Sequence, residues 1–147
     1  MRKGYQVLVA ALNADDLDLY KNMHLSSDAV VVNQCSDESI HETELNGNKV
    51  TFVHSKDRGV GKSRNLAVQL SDADIIEFAD DDMIFVNEHE TIVADEFSAH
   101  PEADLIVFSL ESLNPERPLL KISRFCRIGK RKEIGRASCR ERVSLCV

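Results

Sequence analysis

The 147-residue chain is 43% hydrophobic, 5% aromatic and 29% charged, and 25 acidic side chains against 18 basic ones give a net charge of −7. This is the balance of one globular domain, too polar for a membrane protein and too apolar for disorder, and no run nears the roughly 20 apolar residues that span a bilayer. The acidic surplus excludes a general nucleic-acid binder, whose affinity rests on clustered Lys and Arg, so any phosphate would be handled locally or through a metal.

Met1-Arg2-Lys3 leads into a strand-like run rather than the apolar core of a signal peptide, so the expected compartment is the cytoplasm, including the inner face of its membrane. Five short apolar runs follow, at 5–11, 29–32, 50–53, 75–78 and 105–108. Runs this short and this continuous suit strands buried on both faces of a mostly parallel sheet. Between the first two, Asp15 and Asp16 precede Leu17, Leu19, Tyr20 and Met23, an acidic start to an apolar helical stripe. Asn46-Gly47-Asn48 marks a tight turn into the third run. A helix is expected from Gly61 to Leu70 with Leu66 and Leu70 on one face. Another is expected after a capping Asn87, with Ile92, Val93 and Phe97 as its stripe and His100-Pro101 as its stop. The alternation predicts an α/β, doubly wound domain. Beyond Asn114-Pro115 the pattern weakens, with one more strand expected over 119–125.

From Glu133 the sequence Glu-Ile-Gly-Arg-Ala-Ser-Cys-Arg-Glu-Arg-Val has no apolar periodicity and reads like a translated sequencing-library adapter. Residues 133–147 are therefore expected to be a non-native tail, and 1–132 an incomplete domain. Cys139 and Cys146 go with the tail; Cys35 and Cys126 have no CxxC spacing, which predicts ordinary reduced thiols.

The strongest chemical signal is Ile75-Ile76-Glu77-Phe78-Ala79-Asp80-Asp81-Asp82-Met83. Three aspartates just past a buried strand gather negative charge at the carboxyl end of a sheet, where open α/β folds bind ligands. Hard oxygen donors at this spacing suit Mg2+ or Mn2+, with Asp80 and Asp82 two apart on one side of an extended segment. The bland alternative is a solvated acidic turn. Gly59-Val60-Gly61-Lys62-Ser63 imitates a nucleotide triphosphate loop, but Lys56 stands where the leading Gly of G-x-x-x-x-G-K-[ST] is required. A degenerate loop of that kind remains the alternative reading; in either case Lys62 and Arg64 bring cations to a helix start, a suitable place for phosphate.

Asp57-Arg58-Gly59-Val60-Gly61-Lys62-Ser63-Arg64-Asn65-Leu66-Ala67 followed by Phe78-Ala79-Asp80-Asp81-Asp82 resembles the family 2 glycosyltransferases of the GT-A fold, in which a G-x-[GS]-x-[AS]-R-N segment precedes a strand ending in D-x-D. The similarity runs from about 5 to 110. It implies a Rossmann-like nucleotide-sugar-binding half, with Asp80 near the ribose and diphosphate, Asp81 beside it, and Asp82 as the main carboxylate on the metal. By the same resemblance Arg64 and Asn65 line the donor pocket and Asn13 faces the nucleotide. Where the family ends its second strand in an Asp-Asp pair that contacts the base, this chain has Asn33-Gln34. An amide can hydrogen-bond a uracil edge in both directions.

The implied reaction is an inverting transfer from a nucleotide-sugar, a UDP-sugar by expectation, to a hydroxyl of a glycan or lipid-linked acceptor in surface or secreted polysaccharide synthesis. Its general base is expected downstream of this portion, and Glu111 reads as a surface residue. The five histidines lack the i, i+4 pair of a zincin, and there is no G-x-S-x-G elbow.

Overall fold

The computed structural model describes residues 4–114, Glu116 and the strand at 144–146. Its elements in chain order are β1 (Tyr5–Leu12), α1 (Asp16–Asn22), β2 (Asp28–Gln34), β3 (Ser39–Leu45), β4 (Asn48–Ser55), α2 (Val60–Leu70), β5 (Ile75–Asp80), α3 (His89–Ala99), β6 (Ile106–Phe108) and β7 (Ser144–Cys146). They form one sheet of order β3-β4-β2-β1-β5-β7-β6. β1 lies parallel between β2 and β5, and β2 parallel to β4. All of β1 except Leu12 is buried, which accounts for its unbroken apolar run.

Alternate residues of the strands feed two cores. Tyr5, Val7, Val9, Val31 and Phe52 pack with Leu19, Tyr20 and Met23 of the α1 region and Val93 of α3. On the opposite face, Leu8, Val30, Val32 and Val53 pack with Leu66 and Ala67 of α2. Helices thus cover both faces, the α/β arrangement expected. Asp15 caps α1 by accepting from the Asp18 N–H at 3.0 Å.

Three local expectations change. β3 was not anticipated; it is an antiparallel edge strand joined to β4 through Asn46 (φ 54°) and Gly47 (φ 81°), the positive-φ pair of a two-residue hairpin turn. Its side chains are largely exposed, and His41, Glu42 and Glu44 guard the open edge, so no apolar run announces it. In α2 the fully buried positions are Ser63 and Ala67, whereas Leu70 is 39% exposed: small residues let the helix lie close to the sheet. In α3 the cap position is Glu88, at φ 59° and without a side-chain cap bond, rather than Asn87, because the helix begins where His89 is drawn into the core. The run 105–108 contributes β6, which reaches the sheet through β7, antiparallel to both β5 and β6. β7 falls within the segment read as a tail. An open strand edge accepts an extended segment irrespective of its origin, so this pairing is compatible with either origin. The strand expected over 119–125 lies outside the described residues.

One polar group is built into the first core. Tyr5 Oη donates to Glu77 Oε2, so at its 3.0 Å contact with His89 Nδ1 the imidazole must be the donor. The His89 ring packs against Phe85 with centroids 4.5 Å apart, and its Nε2 is buried with no partner among the described residues. Burial pushes its pKa down from 6.5 to about 4. Between those values the unfolded chain holds a proton that the folded chain refuses, so stability falls as pH drops through that window. Urea unfolding at pH 7 and pH 4.5 should show this loss, and His89→Gln, which still donates to Tyr5 but does not titrate, should remove about 2 kcal/mol of it.

Candidate functional site

The chain passes from β1 through α1 to β2, then returns from β4 by way of α2 to place β5 on the other side of β1. Open α/β sheets bind ligands at such a reversal, in the crevice outside the carboxyl ends of the strands. A cleft of about 200 Å³ lies there, lined by Ala10, Ala11 and Leu12 of β1, Gln34 of β2, Val60 of α2, and Asp80, Asp81 and Asp82.

The three aspartates have different surroundings. Arg64, one turn into α2, donates from Nη2 to Asp80 Oδ1 at 2.9 Å and lies 6.0 Å over the Phe78 ring. Asp81 Oδ2 accepts from the Leu12 N–H at 3.2 Å, tying the end of β5 to the end of β1. Asp82 is exposed. Mutual repulsion along the triplet is therefore offset locally by a guanidinium and a backbone dipole, and the turn itself is closed by a Met83 N–H to Asp80 O bond of 3.2 Å.

Gln34 sits at the opposite wall. Its backbone carbonyl accepts from the Asn13 N–H at 3.0 Å, and its side-chain Oε1 accepts from the Gly59 N–H at 2.8 Å. Gly59, at φ 121°, is a position few other residues could occupy. Asn13 follows the cleft-lining Leu12 in a left-handed conformation, φ 49°, that asparagine tolerates.

Two predicted groups fall elsewhere. Asn33 is buried, and its amide is engaged at both ends by the backbone of Ala14, Oδ1 accepting from N–H at 3.1 Å and Nδ2 donating to the carbonyl at 2.7 Å. It holds the loop after β1 instead of facing a ligand. Lys62 and Asn65 line a second concavity, of about 260 Å³, with Val32, Ser55 and Asp57. The helical pitch puts them on the far side of α2 from Val60 and Arg64, so adjacency in the sequence does not bring Asn65 to the cleft. Lys62 Nζ instead lies 3.6 Å from Asp57. In the loop that imitates a triphosphate site, Ser63 is buried with Oγ 3.4 Å from the Gly59 carbonyl, and the Gly59 N–H is taken by Gln34.

Among the described residues no group of three or more His, Cys, Asp or Glu is placed to hold a metal ion by itself. Asp80 and Asp82 both line the cleft, and cations of the Mg2+ or Mn2+ kind take one or two carboxylates and complete their shell with water and phosphate oxygens. The cleft residues that sequence reasoning did not assign are Ala10, Ala11, Leu12 and Val60, apolar side chains without a chemical signature.

The fold has a solved counterpart. The crystal structure of S. aureus TarS 1-349 matches it with a TM-score of 0.61 at 19% identity, over 80% of this chain and 38% of that one. No family model and no curated protein matches the sequence. At this identity the likeness establishes a shared fold, and this chain spans well under half the length of that structure.

The geometry around Asn33 predicts a structural cost: Asn33→Ala leaves both polar groups of Ala14 without their partner and should lower stability in urea unfolding by about 2 kcal/mol.

Proposed function

We propose that this chain is the donor-binding portion of a glycosyltransferase of the family 2 type, taking a nucleotide-sugar through a divalent cation at Asp80 and Asp82. The observation that carries this reading is the meeting of the aspartate triplet, Arg64 and Gln34 around one crevice at the carboxyl ends of parallel strands. The fold shared with the TarS structure is consistent with this reading.

In this reading Asp82 and the free oxygen of Asp80 hold Mn2+ or Mg2+, which when bound supplies positive charge to the donor diphosphate. Arg64 fixes the orientation of Asp80, and the bond from the Leu12 N–H to Asp81 keeps the triplet close to the end of β1. The Ala10–Leu12 backbone forms the floor on which the nucleoside lies. Transfer would be inverting, to a hydroxyl of a glycan or lipid-linked acceptor of surface or secreted polysaccharide, with the general base outside the residues assigned here.

Calorimetric titration with UDP should give binding in the presence of Mn2+ that weakens by roughly 10-fold to 100-fold in Asp82→Asn, in the manner of a lost metal ligand. Folded protein that binds no nucleoside diphosphate with Mn2+ present would overturn the proposal.

A further inference from the structure

We infer that Gln34 meets its ligand as a hydrogen-bond donor only, and so selects an acceptor atom on a pyrimidine base while leaving the N3–H of uracil unread. This rests on the reading of the cleft as a nucleotide site. A free carboxamide offers an oxygen and an NH2 group interchangeably, and its orientation is normally a matter of assignment. Here the orientation is fixed by chemistry. The Gly59 backbone nitrogen can only donate, so the group it meets at 2.8 Å must be the Gln34 oxygen. The remaining group, Nε2, has no protein partner among the described residues, and Gln34 lines the cleft.

The position in the sheet says which part of a nucleotide arrives there. β2 and β5 flank β1, with Leu12 beside Gln34 on one side and Ala10 beside Asp80 on the other. Two strand spacings across the sheet, about 10 Å, together with an offset of two residues along it, therefore separate the Gln34 and Asp80 backbones. With the diphosphate at the carboxylates, the far wall is left for the base. Uracil presents two carbonyl oxygens flanking a donor N3–H; cytosine presents a carbonyl oxygen beside an unprotonated N3. Donors alone can satisfy an acceptor on either base, so the geometry points to weak discrimination between UDP and CDP.

Gln34→Glu tests this with almost no change of shape. One carboxylate oxygen can still accept from the Gly59 N–H, while the other now turns an acceptor toward the cleft. Titrations with UDP and with CDP, each with Mn2+, are compared between the native chain and this variant, with circular dichroism to confirm folding. Added negative charge should weaken both ligands alike, so the ratio of affinities carries the information. The expected result is a rise of about tenfold or more in preference for UDP, because uracil can donate to the new acceptor whereas the cytosine N3 is repelled. Binding of both nucleotides with an unchanged ratio would overturn the role of Gln34 and leave the nucleotide reading intact. Failure of the native chain to bind either would overturn both. Should the glutamate variant not fold, Gln34→Met keeps the volume without any donor and should weaken UDP and CDP each by about tenfold, whereas unchanged affinities would sink the assignment.

Discussion

When the chain crosses from β4 over α2 to β5, it lays a second parallel partner against β1 from the side opposite β2. β1 is thereby enclosed on both edges and both faces, and it can be satisfied only by an apolar sequence such as the one it carries. The same crossover determines where chemistry can sit. α2, which follows β4, covers one face, whereas α1 and α3, which follow β1 and β5, cover the other, and the carboxyl ends of β1 and β5 stay open as the cleft. Burial of the strand and exposure of the cleft are two consequences of one path of the chain.

Keeping such a cleft open while loading it with three carboxylates requires compensation, and the compensation comes from the elements that form the walls. Arg64 belongs to the crossover helix and donates to Asp80; the Leu12 N–H belongs to the end of β1 and meets Asp81. On the other side Gln34 joins two loops at once, taking the Asn13 N–H on its carbonyl and the Gly59 N–H on its side chain. Asn33 does the same for the loop after β1 from below. Apart from the Arg64–Asp80 pair, each contact satisfies a backbone N–H, and together they tie the chain segments around the crevice to one another.

Buried elements were legible in the sequence because burial on both faces writes a continuous apolar run, as at 29–32 and 50–53. β3 was not, since an edge strand packs too little apolar surface to leave a pattern and survives by its charges. The aspartate triplet could be found because three like charges after a strand are improbable without a role. What the sequence could not disclose is the use of each amide. Asn33 and Gln34 are neighbours of the same chemical type, yet strand alternation sends one into the core to tie Ala14 and the other to the cleft. Likewise Arg64 and Asn65 form one motif on paper, but Arg64 reaches Asp80 whereas Asn65 lines the other concavity, because consecutive helical residues diverge by about 100°.

These contacts also revise the electrostatic argument. Three adjacent carboxylates would by themselves favour a bound cation. With Arg64 on the first and a backbone donor on the second, the triplet is tolerated by the protein alone, and the exposed Asp82 keeps much of its solvation in water. On the proposed reading a cation is called for when a diphosphate enters, because such a ligand would bring further negative charge against the carboxylates. The role of the metal, on this reading, is to join ligand to protein rather than to hold the fold together. Its effect then belongs in the affinity for a nucleotide more than in the stability of the ligand-free chain.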